Sequence, residues 1–169
     1  MQDCSHVTLF LPPHVSAEID AVRRIWDPAM AEWIAPHITV AYPHEHPGHE
    51  AMSRCLAQAC QTIGPFELEL AEYASFRADR ELVIYVKVLD RDHSLARLRA
   101  RLIRPGMTTP SFQPHVTVIN PWTSPLAPRF LEAMPLHRDN VRVRVDTVHV
   151  TAPDGGRWRS VEQFRLGAQ

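Results

Sequence analysis

Between Pro36 and Pro43 the chain alternates polar and apolar side chains as His-Ile-Thr-Val, and between Pro114 and Pro121 it does so again as His-Val-Thr-Val. A period of two is that of a half-buried strand, and β-branched residues between bracketing prolines suit a short strand better than a helix. His37 and Thr39 then share one face while Ile38 and Val40 pack behind them, and His115 and Thr117 repeat the arrangement. Five of the eight positions from proline to proline are identical in the two copies. Two matched polar pairs are thereby expected to face each other.

The remaining pattern fills in around these strands. A first strand is predicted from Ser5 to Leu11, with Val7, Leu9 and Leu11 on one face and His6, Thr8 and Phe10 on the other, ended by Pro12-Pro13. Ser16 is the expected N-cap of a helix in which Ile19, Val22, Arg23, Ile25 and Trp26 keep helical spacing until Asp27-Pro28 stops it or starts a second short turn. Met52, Cys55, Leu56, Ala59, Cys60 and Ile63 make an amphipathic stripe for a helix from Glu50 to Ile63. Strands follow from Phe66 to Tyr73 and from Leu82 to Leu89, with a hairpin tip at Arg77 to Arg80. A helix capped by Asp90 or Asp92 is predicted through Arg104, then a loop from Thr108 to Phe112 and a short helix from Pro128 to Met134.

The tail reads as a hairpin, Val141 to Thr151 and Arg157 to Leu166, turning at Pro153-Asp-Gly-Gly. Val141, Val143 and Val145 have the opposite parity to Val148 and Val150, so a bulge near Asp146 or Thr147 is expected and the direction of His149 stays open. The count is about seven strands and three or four helices in the order β-α-β-α-β-β-α-β-α-β-β. Each motif strand follows a helix at a similar place in its half. The expectation is a pseudo-two-fold, duplicated α+β domain over residues 1–169.

Composition narrows the function classes. With 18 Lys+Arg against 19 Asp+Glu the net charge is -1, which provides no basic field for long double-stranded nucleic acid, so an anionic substrate has to be held locally. Cys4, Cys55 and Cys60 are odd in number and lack metal-ligand or redox spacing, which fits a reducing compartment, with the cytoplasm as the expected location. No stretch has the makings of a secretion signal or of a membrane span.

Four His-x-Thr triplets begin at His6, His37, His115 and His149, where random order of 10 His and 9 Thr in 169 residues predicts about 0.5. The inner two carry the flanking Pro and Val and are the candidate catalytic pairs; the outer two, with Thr8 and Thr151, are expected near the same cleft, lining it or touching substrate. Two imidazoles of ordinary pKa near ~6.5 can hold opposite protonation states near neutral pH, one taking a proton from a nucleophile and one giving a proton to a leaving alkoxide. Each threonine hydroxyl can donate to a nonbridging phosphate oxygen. No metal or cofactor is required by that chemistry. A competing site is the run His44-Glu45-His46-Pro47-Gly48-His49, whose histidines are spaced closely enough to ligate a metal, although Gly48 stands where a metallo-β-lactamase-like H-x-H-x-D-H pattern needs Asp. Its other reading is a solvated loop leading into a helix. Phe10, Tyr42, Tyr85 and Trp122 are candidates to stack on a base, and Arg77, Arg80, Arg104, Arg142, Arg144 and Arg157 are candidate phosphate or base contacts, most of them expected at the solvated surface.

Two Pro-His-x-Thr-Val strands, an apolar first strand ending in Leu11-Pro12 and a terminal hairpin together resemble the two-histidine (2H) phosphoesterase superfamily, which includes 2′-5′ RNA ligase-like proteins and cyclic nucleotide phosphodiesterases. The resemblance spans essentially the whole chain. It implies two antiparallel-sheet lobes around a central cleft, with helices outside and one His-x-Thr from each lobe, here His37 with Thr39 and His115 with Thr117. Many members place Arg or Lys shortly after the second motif, where this chain has Ile119-Asn120-Pro121-Trp122. The expected activity is metal-independent opening of a 2′,3′-cyclic phosphate or related phosphodiester on a nucleotide or short RNA end, by a monomer. The alternatives are a non-catalytic module that binds RNA ends or a phosphorylated ligand, and the metal hydrolase of the His44/His46/His49 loop.

Overall fold

Eight strands and five helices are built from the residues that the computed structural model describes, 4–46, 48–78, 81–103 and 112–167. In chain order they are β1 (His6–Phe10), α1 (Pro13–Trp26), α2 (Pro28–Trp33), β2 (His37–Ala41), α3 (His49–Thr62), β3 (Phe66–Ala78), β4 (Glu81–Leu89), α4 (Ser94–Ala100), β5 (His115–Ile119), α5 (Ala127–Ala133), β6 (Val141–Val145), β7 (Thr147–Asp154) and β8 (Arg157–Arg165). They form two four-stranded antiparallel sheets, ordered β2-β1-β7-β8 and β5-β4-β3-β6. Each motif strand is thus the edge of its own sheet. Among the described residues no helix is long and apolar enough to cross a membrane.

Local chemistry explains where several elements begin. Helix α1 starts at Pro13, with Pro12 at its N-cap and the Ser16 amide bonded to the Pro12 carbonyl; Ser16 is not the cap, because a proline in the first turn needs no amide donor and already has helical φ. Asp27 ends α1 and caps α2, its carboxylate accepting from the Met30 amide at 3.0 Å. Helix α4 is shorter than its sequence pattern, yet the Asp90 carboxylate still caps it by accepting from the Leu95 and Ala96 amides. The tip residues 79–80 of the β3–β4 hairpin, and most of the loop expected over 108–112, lie outside the described residues.

The tail departs from the expected single hairpin. β6 pairs with β3 in one sheet while β7 pairs with β1 and β8 in the other, so the chain changes sheets at Asp146. The parity flip between Val145 and Val148 comes from this crossing: Val143 and Val145 are buried beneath one sheet, Val148 and Val150 beneath the other, and no bulge at Asp146 is needed. A bulge does occur further on, between Val150 and Thr151 against β8. The crossing also puts the terminal β7–β8 hairpin beside β1.

One apolar core runs beneath both sheets, from Val7, Leu9, Ile38 and Val40 through Met52 and Leu56 of α3 to Ile84, Val116, Val118 and Phe130. Set in it is a buried ion pair, in which Arg99 of α4 grips both carboxylate oxygens of Glu45 at 2.6 and 3.0 Å with side chains 6% and 2% exposed. Arg99 also donates to the carbonyl of Val40 in β2, so α4 of the second half holds the motif strand of the first. Removing one partner leaves an uncompensated charge in the core, and Glu45→Ala is therefore expected to cost ~3–5 kcal/mol. Chemical denaturation of Glu45→Ala and of a Glu45→Leu/Arg99→Met double variant measures it, the double variant being expected to recover part of the loss; a single-variant loss below about 1 kcal/mol would contradict the buried pairing.

Candidate active site

Between the two edge strands lies a cavity of about 510 Å³, lined by His37, Thr39, His115 and Thr117 together with side chains from β1, α2, the β3–β4 hairpin, β8 and the turn after β5. The strand period delivers the four polar residues. In β2 and β5 alike the His and Thr are half-buried while the residues between and after them, Ile38 with Val40 and Val116 with Val118, are 0% exposed. Apolar anchoring on one face aims the other face into the cavity.

The two imidazoles are held in the same way. Nδ1 of His37 lies 2.9 Å from the carbonyl oxygen of Ala35, and Nδ1 of His115 lies 2.9 Å from that of Gln113. A carbonyl only accepts, so each Nδ1 carries the proton, and in the neutral ring Nε2 is the basic nitrogen. Both rings are also packed edge-on by aromatics of their own sheet: Phe10 against His37 at 6.3 Å, Tyr85 and Phe76 against His115 at 5.4 and 5.8 Å. Burial by these walls lowers the His37 pKa to about 4, against a raising contribution from the Ala35 carbonyl, while the charge of Arg23 and the rings of His6 and His115 lower it further. Burial lowers that of His115 too, opposed by its own carbonyl partner Gln113.

Sheet register settles the other candidates. Thr8 stands opposite Thr39 on one side and His149 on the other, and Phe10 stands opposite His37, so all of these belong to one sheet face. Of the outer triplets, His6 alone reaches the cavity, packed 4.4 Å from the Trp158 ring and edge-on to Tyr42, with its pKa lowered to about 4, first by burial and then by His46 and His44. Thr8 is fully buried, Thr151 is fully buried with its hydroxyl toward the His6 carbonyl, and the Nδ1 of His149 meets the Ser160 hydroxyl at 2.9 Å. None of these three lines the cavity, and neither do Phe10 and Tyr85, which pack behind the catalytic candidates. Tyr42 and Trp122 do line it.

Sequence reasoning missed Trp33, Phe76, Asn120 and Trp158, all of which line the cavity. The available signal was position for two of them, Trp33 standing shortly before the first motif and Asn120 directly after the second strand. Trp158 had none, since β8 reaches His6 only through the pairing of β7 with β1. No Lys or Arg is among the described lining residues; Arg142, Arg144 and Arg157 are exposed on outer strands, Arg77 borders a separate cavity, and Arg80 and Arg104 lie outside the described residues.

The histidine-rich loop has other work. His46 is 1% exposed, with Nε2 donating to the Ser5 carbonyl at 2.9 Å and Nδ1 accepting from the Gly48 amide. His49 bonds the Ser5 hydroxyl and the Glu162 carboxylate, Glu45 pairs with Arg99, and His44 stacks on Tyr42. The ring nitrogens of His46 and His49 are committed to tying the start of α3 to Ser5 and β8. Among the described residues no group of three or more His, Cys, Asp or Glu is placed to hold a metal ion.

The sequence profile of the 2′-5′ RNA ligase superfamily matches residues 11–157. Compared by sequence with curated proteins, the chain matches none. Among solved structures, one described as a phosphoesterase superposes with a TM-score of 0.64 at 17% identity, over 98% of this chain and 99% of that one. E. coli LigT in complex with ATP gives 0.64 at 17% identity over 98% of both chains, and LigT in complex with 3′-AMP gives 0.63 at 17% over 98% of this chain and 99% of that one. At these identities the likeness is one of fold, the two-lobed arrangement described above.

The buried, neutral histidines define an expected titration. A pKa depressed in the folded chain contributes stability that is complete above pH ~6.5, the unfolded value, and is lost as pH falls toward the folded value of about 4. Ring signals of His6 and His37 followed by NMR in the free protein are expected to titrate near pH 4, with their Nδ1–H tautomer persisting at His37 and His115 above it. Midpoints near 6.5 for His6 and His37 would contradict the desolvated cavity.

Proposed function

The chain belongs to the 2′-5′ RNA ligase superfamily, and from that premise we propose that it is a phosphoesterase that opens the 2′,3′-cyclic phosphate, or a related phosphodiester, of a nucleotide or short RNA end without a metal. The observation that carries this reading is the convergence of two His-x-Thr pairs on one cavity, each imidazole with its Nδ1 proton tied to the carbonyl two residues before it. Fixing the tautomer commits Nε2 of both rings to proton transfer. One neutral Nε2 takes the proton of an attacking water as its oxygen bonds to phosphorus; the other ring, entering protonated, gives its Nε2 proton to the ribose oxygen as the P–O bond breaks. The hydroxyls of Thr39 and Thr117 donate to the nonbridging oxygens, where negative charge grows. In the reverse direction the two rings exchange roles.

The walls speak for a base-bearing substrate. Trp33, Trp122 and Trp158 line the cavity with Tyr42 and Phe76, and Trp122 is 78% exposed, an orientation that costs apolar hydration unless a flat partner covers it. His6, held neutral beside Trp158, offers one donor and one acceptor to a base edge or a ribose hydroxyl. LigT, a neighbour in fold, forms complexes with ATP and 3′-AMP, which accords with a nucleotide ligand here. Since one chain carries both histidines, a monomer suffices, and the cytoplasm remains the proposed location.

His37→Ala and His115→Ala are each expected to lower turnover of a nucleoside 2′,3′-cyclic phosphate by ~10²- to 10⁴-fold with the fold intact, the double variant being little worse. Thr39→Val and Thr117→Val lose less, and exhaustive chelation leaves the wild-type rate unchanged. Turnover and thermal unfolding measured together decide it: a folded His37→Ala variant of near-wild-type rate would sink the assignment, whereas a wild type without turnover whose ligand binding survives His37→Ala and His115→Ala would make the cleft a binding module.

The pH profile has a direction. The productive free enzyme holds one ring protonated and one neutral, and both rings have pKa values depressed below the ordinary value, His37 to about 4. The maximum of kcat/KM is therefore expected on the acid side of pH ~6.5, with kcat/KM falling as pH rises beyond it. A maximum above pH ~7 would show that the rings are not desolvated as described.

A further inference from the structure

Resting on the reading above, we propose that Arg23 is a positioning residue of this cleft: its buried guanidinium sets the spacing of the two histidine strands and lends the bound phosphate positive charge from behind the Thr117 backbone. Arg23 lies on α1, in the first half of the chain, with 0% of its surface exposed. Its Nε donates to the Thr117 carbonyl at 3.0 Å, a second nitrogen donates to the same oxygen, and the third donates to the Ile34 carbonyl at 2.9 Å. One rigid fork thus spans 94 residues to a motif threonine in β5 and 11 residues to the turn leading into β2. That turn contains Ala35, whose carbonyl holds Nδ1 of His37. A single planar group thus binds both β5 and the turn that leads into β2.

The pseudo-symmetric counterpart sharpens the point. Arg99 of α4 crosses to β2 as Arg23 of α1 crosses to β5, but Arg99 is paired with both oxygens of Glu45. The acidic groups around Arg23 are Asp20 on its own helix, at 3.7 Å, and Asp27 at the helix end, which is bonded to the Met30 and Asn120 amides and the Thr123 hydroxyl. Most of the hydrogen bonds Arg23 makes go to neutral carbonyls, so its charge is the less cancelled of the two. It is felt in the cleft: of the charged and titratable groups facing His37 from neighbouring elements, Arg23 on α1, His6 on β1 and His115 on β5, Arg23 contributes most to depressing its pKa. An anionic phosphate held between Thr117 and His37 lies in that same field. A side chain that bridges strands acts as an element of geometry and, being a buried cation, as an element of binding.

The two roles separate by substitution. Arg23→Lys keeps the charge, but one ammonium replaces a fork, and kcat for a nucleoside 2′,3′-cyclic monophosphate is expected to fall roughly 10- to 100-fold with KM nearly unchanged. Arg23→Gln is expected to raise KM as well, and to move the His37 midpoint, read by NMR without substrate, upward from its wild-type value while burial still holds it low. Asp20→Asn, at a partner 21% exposed and outside the cleft, removes the nearest counter-charge; the fold is expected to persist while the His37 midpoint moves further down and KM falls. Thermal unfolding accompanies each variant, and if Arg23→Gln fails to fold, Arg23→Lys and Asp20→Asn decide. A folded Arg23→Gln with wild-type kcat and midpoint overturns the proposal, as does an Asp20→Asn that moves neither midpoint nor KM. The midpoint needs no turnover, so a wild-type protein inert to cyclic phosphates refutes the proposed function separately from the role of Arg23.

Discussion

Two sheet edges have to meet inside this protein, and the backbone there has to be satisfied. β2 and β5 are terminal strands of their sheets, and an edge strand has partners on one side only. Hydrogen-bonding the two edges together would fuse the lobes and close the space between them. Arginine side chains from the opposite half are used instead: Arg23 reaches the Thr117 carbonyl and Arg99 the Val40 carbonyl. A guanidinium satisfies a buried carbonyl as well as an amide does, and it is longer. The lobes are thereby joined at a separation that leaves the cavity between them, and both His-x-Thr pairs hang on strands so held.

Asp27 completes the joint from the other direction. It ends α1, caps α2 and binds the Asn120 amide and the Thr123 hydroxyl in the turn after β5, while the Ser124 hydroxyl donates to the Trp26 carbonyl. The helix that carries Arg23 is therefore fastened to the second lobe at two successive places. This couples the segment leading into His37 to the segment leaving Thr117. It also explains why Asn120, Pro121 and Trp122 border the cavity: the turn is drawn toward α1 and presents its outer residues to the opening.

Apolar surroundings set the electrostatics of the cleft. Rings of Phe10, Tyr85, Phe76 and Trp158 pack around the imidazoles, so the neutral forms of His6 and His37 are favoured and the cations disfavoured. An incoming phosphate supplies the negative charge that makes a protonated ring favourable again. On the proposed function, substrate binding and the arming of the general acid are one event. The same aromatic walls that desolvate the histidines offer flat surfaces to a base, so the proposed function would tie the choice of substrate to the tuning of the two imidazoles.

What the sequence alone determined is what a local pattern can encode. The alternation in His37-Ile38-Thr39-Val40 and His115-Val116-Thr117-Val118, bracketed by proline, dictated two strands with His and Thr on one face, and their repetition announced two related halves. What it left to tertiary structure is whatever depends on pairing across distance. The valines around Asp146 show a parity flip in sequence, yet a bulge and a change of sheet produce the same flip, and only the partners of β6 and β7 distinguish them. His44, His46 and His49 have the spacing of ligands, but whether a ring nitrogen is available depends on Ser5 and Glu162, far away in the chain. Arg23 shares the helical spacing of Ile19, Val22 and Trp26, but nothing local says which carbonyls it satisfies, since β5 and the turn before β2 come together only in the fold. Side-chain alternation is written in neighbours one and two positions apart; hydrogen-bond satisfaction, desolvation and the lining of a cavity are properties of what has been brought together.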